Sequence, residues 1–442
     1  MKIVLRNILL GTMIIFFACT NEYINPNEPS EESVYSSVDG FLSVCIGLRT
    51  HYSVTGLNYI IYVPGITTRE IGTTSTYQTP MDLTYGGTSL TNLNTGVSGL
   101  WSNILKDKGL AEDLIANVDN ITMSGQTRNG ILAFAFYFKA LTLCNLYQNF
   151  EQFPLMNSEN GDAVFSGADE GLAEMVNLLS DAKEYLNAGI SSDFSSGVLA
   201  DIDLGNCIDA LLSRVYLYQG DYEKCIQVSA EIDLTATSVF KYDNENYNPV
   251  YNFAVDGSPY LFPKDNFGLK DGYLPGSGDG RYDFYLSGPD TTELTELGGA
   301  ALKQIKGFFS TYNSDIPVYL PGEILLNMAE ADARSNNLPD AVTYLNRVIT
   351  KTDDIYGVNA AMADETGRLN SLSQSDLLEE IYKQRCIELF FTGQRLADSR
   401  RFHPNLEFGQ AYDLTSERNR NYYPYPQEER DNNPNCPADP AI

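Results

Sequence analysis

Histidine is nearly missing from this 442-residue chain, with only His51 and His403 present. A zinc centre built on imidazoles, or a Ser-His-Asp relay, is therefore poorly supplied. Tryptophan occurs once, at Trp101, where it opens an apolar helical pattern with Ile104 and Leu105 and reads as core packing. Lysine and arginine total 29 against 58 acidic residues, a formal charge of −29. Nucleic acid needs a basic footprint for its phosphates, so that partner is excluded. Seven cysteines (Cys19, Cys45, Cys144, Cys207, Cys225, Cys386 and Cys436) include no C-x-x-C. Most fall in helical apolar patterns and are expected to be small core residues, with no disulfide framework. No run reaches about 18 apolar residues, the length of a spanning helix. G-x-S-x-G, H-E-x-x-H, P-loop, G-x-G-x-x-G and EF-hand patterns are all missing. No catalytic centre, metal or cofactor is expected.

What is present begins at the N-terminus. Lys2 and Arg6 precede a short apolar run from Ile8 to Phe17, which ends at Ala18-Cys19. A basic region, a short apolar stretch and a small residue before cysteine form a loose lipobox. Residues 1–18 are expected to be a lipoprotein signal peptide, with Cys19 lipidated and residues 19–29, polar and turn-rich, as a tether. The mature chain would then be anchored to a membrane rather than spanning it. Cleavage removes two positive charges and leaves the remainder still more acidic.

Helical periodicity covers about 31–51, 99–118, 128–147, 171–186, 206–219, 222–231, 321–334, 339–350 and 376–391. Two of these pairs are joined by tetratricopeptide-like turns. Gly220, Tyr222 and Cys225 follow one helix, and Asn336, Leu338 and Ala341 follow another. Glycine and asparagine both tolerate a left-handed turn, and the small residue lets paired helices approach closely. The fold class is mainly α, with tetratricopeptide-like helix pairs as scaffold and long loop-rich insertions. A soft boundary near Ile232 separates an N-terminal helical half, 30–232, from a C-terminal half, 233–442, carrying a loop-rich insertion at 235–317.

Two tracts, 52–96 and 235–317, read as loops rich in Gly, Pro, Asn, Asp and Tyr. Loops this long in a folded domain are usually functional, and their aromatics argue against disorder. An aromatic face stacks on the C–H face of a sugar, while amides, carboxylates and guanidinium groups bond its hydroxyls. Tyr77, Tyr85, Tyr273, Tyr282 and Tyr285, with Arg69, Asp279 and Arg281, are the expected ligand contacts; Tyr251, Tyr260 and Asn246 lie among them. Asp279 and Asp283 flank Arg281 and have the makings of a glycosidase carboxylate pair, although acidic residues are abundant enough for chance pairs.

The most specific pattern lies near the end, in R-C-I-E-L-F-F-T-G-Q-R-L-A-D-S-R-R-F from Arg385, followed by N-Y-Y-P-Y-P-Q-E-E-R-D-N-N-P from Asn421. Ser373 is placed to cap the helix that carries Arg385, and Gly393 to end it. Arg385, Glu388, Arg395, Asp398 and Arg401 are spaced for a partly buried ionic network pinning two helices. This pattern resembles the C-terminal signature of the SusD/RagB family, with Thr392, Ser399 and Phe402 departing from it. The resemblance implies a SusD-like α fold and a lipid-anchored nutrient-binding protein of the outer membrane, facing the exterior. It also implies a SusC-like TonB-dependent transporter as partner and a glycan as ligand. A peptide ligand within the same family and, from another class, a surface glycoside hydrolase are the alternatives. The expected ligand is uncharged.

Overall fold

The computed structural model describes residues 31–442 apart from 159, 271, 289–294, 297–298 and 408–415. The leader, Cys19 and the tether lie outside the described residues. Helix α1 (Glu31–Val34) leads into α2 (Val38–His51), whose N-cap Ser37 accepts from the Gly40 amide. The next turn, Tyr52–Gly56, is wound as a π-helix and runs directly into α3 (Leu57–Thr67). After strand β1 (Ile71–Thr73) comes α4 (Gln78–Tyr85). The expected loop at 52–96 is therefore mostly helical. Gly56, Pro64 and Gly65 hide this in the sequence, but Leu57, Ile60, Ile61 and Pro64 follow helical spacing and are all buried. A proline in the third turn removes one backbone bond, and packing of this face outweighs that loss.

Helix α5 (Thr95–Asn117) starts at Asn94, whose Oδ1 accepts from the Gly96 and Val97 amides at 3.0 and 3.2 Å. It packs on α6 (Gly125–Asn149), which is apolar on nearly every side because α5 and α7 (Ala168–Asn187) enclose it. Composition alone would let α6 cross a membrane, but 89% of its most apolar window is buried in the protein. The short α8 (Ser192–Gly197) precedes α9 (Leu204–Gln219) and α10 (Tyr222–Glu231). The insertion then contributes α11 (Pro249–Ala254) and α12 (Gly280–Tyr285). Helices α13 (Pro321–Arg334), α14 (Leu338–Thr350), α15 (Thr366–Leu369), α16 (Gln374–Glu388), α17 (Arg395–Phe402) and α18 (Gln427–Asn432) complete the order.

The two expected helix-pair turns form where the sequence puts them. Gly220 (φ 76°) joins α9 to α10, and Asn336 (φ 63°) joins α13 to α14. Cys225 and Ala341, the small residues of each pair, have no exposed surface. Helix α10 also packs on α13, so the two pairs form one continuous layer. Cys45, Cys144, Cys207, Cys225 and Cys386 are buried free thiols and Cys436 is a half-buried one.

The sheets are small two-stranded antiparallel ladders, one of which fastens the insertion to the N-terminal helices. Strand β1 pairs with β5 (Leu261–Pro263) in the register Ile71–Pro263, Gly72–Phe262, Thr73–Leu261. The C-terminal tail crosses back over the N-terminal helices. Tyr423 and Tyr425 are fully buried, with the Tyr423 hydroxyl bonded to Thr67 Oγ1 at 2.8 Å. Trp101 is core, as its position in the sequence implies. It stacks on Phe165, meets Tyr425 edge-on and donates from Nε1 to Glu429 at 3.0 Å.

Candidate functional site: an open tyrosine groove

The β1–β5 ladder brings the two tyrosine-rich tracts together. The Thr74 amide donates to the Tyr260 carbonyl at 3.0 Å, just past the last strand pair. Ser75 Oγ accepts from the Tyr77 amide at 3.0 Å, and the rings of Tyr77 and Tyr260 then meet edge-to-face at 5.4 Å. From the other side, α3 presents Asn58, Tyr59 and Tyr62, one helical turn wide and opposite its buried stripe. Tyr59 and Tyr62 lie 5.5 Å apart, and Phe253 of α11 stands 6.0 Å from Tyr62. These rings line an open cavity of about 550 Å³ together with Thr79, Thr95, Asn252, Asp256 and Ser258. A second hollow of about 440 Å³ shares Asn58, Tyr59 and Asn252 with it and continues past Tyr247 and Glu245. Both volumes lie in the range of small-ligand sites, and the lining is aromatic with a few placed polar groups.

Local backbone choices hold the rings. A Cβ on Gly99 would sit 2.1 Å from the Tyr59 ring, so only glycine lets α5 back that ring this closely. Thr79 and Thr95 share a hydroxyl hydrogen bond of 2.6 Å, tying α4 to the start of α5 along the rim. Burial and the neighbouring phenols of Tyr59, Tyr260 and Tyr423 push the Tyr62 hydroxyl above its ordinary range, so it is a neutral hydrogen-bonding group. Tyr77 is 65% exposed and the other groove rings are partly so.

Of the eight expected ligand contacts, only Tyr77 lines this groove. Four others are corrected, because they are buried and bonded inside the protein. Arg69, at φ 71°, donates to the Thr84 and Ser416 carbonyls at 2.8 and 3.1 Å. Asp279 holds Arg281 through two bonds of 3.0 and 2.7 Å, and Arg281 also donates to Glu388 at 3.1 Å and Gln384 at 2.6 Å. A carboxylate so paired has no free role as a glycosidase acid. Tyr285 is fully buried and donates to the Glu388 carbonyl at 3.0 Å. Tyr273 bonds Glu379 and lies under the Lys270 ammonium at 4.4 Å. Tyr282 packs on Phe267 and borders a separate hollow with Asp265 and Asp283. Tyr85 closes α4 and is half-buried. Tyr59, Tyr62 and Phe253 also line the groove and are not singled out by the sequence reading, although the helical pattern of α3 is a signal for the first two.

The expected ionic network at the C-terminus forms, but with different partners. Arg385 is bidentate to Asp398 at 2.9 and 3.1 Å, and Asp398 also accepts from Arg401 at 2.9 Å. Arg401 grips Glu330 of α13 at 2.7 and 2.8 Å. Burial raises the cost of the Glu330 charge, yet Arg401, Arg385 and Arg334 hold its carboxyl down at about 2. Glu388 does not pair with Arg385. It faces Arg281 and Lys351, the latter at 2.5 Å, in a space cleared by Gly322, whose Cβ would fall 1.9 Å from the carboxylate. Arg395 turns instead to the Cys386 carbonyl at 2.6 Å and to Glu70 at 3.4 Å. Spacing along one helix shows which charges are buried, not which partners arrive from elsewhere.

A larger cavity of about 790 Å³ lies elsewhere, between α7, α9 and the ladder of Val239–Phe240 with Ile316–Pro317. Its charged Lys241 and Asp315 pair with each other at 2.7 Å, and the Tyr356 hydroxyl is tied to Ser238. With few free aromatic faces, it is a weaker binding site than the groove despite its size.

Solved structures share this architecture over almost the whole chain. A SusD superfamily protein from Bacteroides fragilis matches with a TM-score of 0.69 at 14% identity, covering 91% of this chain and 99% of that one. One from Bacteroides vulgatus matches at 0.63 and 15%, covering 92% and 99%. A SusD-like carbohydrate binding protein from Bacteroides fragilis matches at 0.65 and 15%, covering 91% and 100%. These structures share the fold of this chain. Residues 303–437, which contain the buried arginine network and the tail, match the SusD family model. No curated protein matches the sequence.

Proposed function

We propose that this protein is a lipid-anchored glycan-binding protein of the outer membrane that captures oligosaccharides in the Tyr59–Tyr62–Tyr77–Tyr260 groove and delivers them to a SusC-like TonB-dependent transporter. The observation that carries the binding part is the groove itself: several partly exposed rings, ringed by amides and hydroxyls, on a rigid helical support. Such a surface stacks on sugar faces and bonds their hydroxyls. Similarity of fold to a SusD-like carbohydrate binding protein supports the same reading. The Ala18-Cys19 junction and its short apolar leader support the anchor, and the match to the SusD family model supports the transporter partner.

Catalysis has little support. Asp279 is held by Arg281, and among the described residues no group of three His, Cys, Asp or Glu is placed to hold a metal. Calorimetric titration of purified protein with a panel of oligosaccharides and peptides tests the proposal. Binding of an oligosaccharide that is lost in a Tyr59→Ala, Tyr260→Ala double variant with an unchanged thermal transition is the expected result. Peptide binding in the same groove, or glycan binding that survives the double variant, would overturn it.

A further inference from the structure

We infer that the groove selects glycan chains that carry no acidic groups; this rests on the glycan reading of the site. Along both hollows the lining offers two carboxylates, Asp256 in the first and Glu245 in the second, both exposed. Among the described residues, neither hollow is lined by a lysine, arginine or histidine. Residues 159, 271, 289–294, 297–298 and 408–415 contain no basic side chain, and the only cations before residue 31 are Lys2 and Arg6. These segments therefore bring no further positive charge to the groove apart from Lys2 and Arg6. Three cations of the flanking elements are already engaged. Lys241 pairs with Asp315 at 2.7 Å, Lys264 is buried against Glu296 at 2.9 Å, and Arg420 donates to the Gly87 carbonyl at 2.8 Å.

A uronate or sulfate needs a charge-assisted donor to replace its water, and arginine is the usual one. In this groove such a group would meet amides, hydroxyls and like charge, within a chain of net charge −29. Sugar hydroxyls find good partners in the same place, since Asn58, Asn252, Thr79, Thr95 and Ser258 both donate and accept. Like charge across an interface works mainly as rejection of the wrong ligand.

The test uses neutral gluco-, galacto- and manno-oligosaccharides, each beside a partner whose primary alcohols have been oxidised to carboxylates. For any neutral binder, the oxidised partner is expected to bind about tenfold more weakly at low salt, with the gap narrowing at high salt. In a Glu245→Lys, Asp256→Lys variant the gap should close or reverse. A gap that the lysine pair leaves unchanged would trace the loss to the missing hydroxyl and overturn the charge proposal. Tighter binding of an oxidised chain than of its parent would overturn it too, while leaving the glycan reading intact. No binding of any glycan would overturn that reading, and this inference with it.

Discussion

The groove on α3 and the buried frame under α12 are built from similar stretches of sequence and use them in opposite ways. Both draw on tyrosines set among Gly, Asn, Asp and Pro. In the groove, Tyr59, Tyr62, Tyr77 and Tyr260 keep a face in solvent and no cation lies among them. Under α12, Tyr285 and Arg281 are sealed in, and both have internal partners. The difference lies in what each segment packs against. Helix α3 buries its aliphatic stripe and leaves its polar–aromatic face over open space. Helix α12 lies on α16, whose Glu388 and Gln384 demand a counter-charge. A binding surface is thus an aromatic face left unpartnered by its own scaffold, and tyrosine density alone does not reveal one.

The comparison is broken most severely by removing a charge from the frame. Glu388→Ala leaves Arg281 and Lys351 facing a hole beside Gly322, and loss of one partner of a buried pair typically costs about 3–5 kcal/mol. A chemical denaturation midpoint should fall accordingly, or the protein should fail to accumulate. Trp101→Ala removes a buried ring with four aromatic or hydrogen-bonded neighbours and should cost a similar amount, about 3–5 kcal/mol. If either variant keeps wild-type stability but loses ligand affinity, the division between frame and groove is wrong.

A smaller change sharpens the groove side. Gly99→Ala places a methyl group where the Tyr59 ring now lies. Tyr59 is partly exposed and can swing outward, so the fold should survive. Alanine also favours helix over glycine by about 1 kcal/mol, which offsets the displaced packing. The expected outcome is a three- to tenfold weaker glycan titration, the order of one aromatic contact at about 0.5–1.5 kcal/mol, with the melting temperature nearly unchanged. Undiminished affinity would remove Tyr59 from the site.

Much of this division was legible in the sequence, and the limits have physical causes. The long helices, the Gly220 and Asn336 turns, the core role of Trp101 and the buried character of Arg385, Asp398 and Arg401 all follow from local spacing. Helix α3 reads as loop in the sequence because Pro64 and Gly65 are strong local breakers, although the stripe of Leu57, Ile60 and Ile61 has the opposite meaning. Arg281 looked like a ligand contact because its partner Glu388 lies 107 positions away. Tyr59 and Tyr260 become neighbours across the groove only through the β1–β5 ladder, a pairing of short strands with no sequence signature of its own.

The mildest test concerns a cluster at the outer edge of the frame. His403 lies between two carboxylates, with Nδ1 2.8 Å from Glu417 and Nε2 3.1 Å from Glu379, and Tyr382 stands edge-on to its ring at 4.8 Å. Glu379 in turn accepts from Tyr273, and Glu417 from Ser399 and Arg418. The bond to Glu417 raises the imidazole above its ordinary value, against the opposing effect of burial, and Glu379 adds to the rise. A group whose folded value is raised contributes stability that is complete below its unfolded value, about 6.5. That contribution disappears as pH climbs through the higher folded value. Glu417 is shifted the other way, held below its ordinary range mainly by His403 and Ser399 against burial, so its share fades as the solution turns acidic. The cluster should therefore stabilise most between about pH 5 and 6.5. Because the ring is partly exposed, solvent screening keeps the effect small, and for a chain this long it should move the melting temperature by about 1 °C. Comparing wild type with His403→Gln from pH 5.5 to 9 should show the wild-type advantage shrinking as pH rises. An advantage that grows with pH would mean that the imidazole is bound neutral and that the two carboxylates are not its partners in solution.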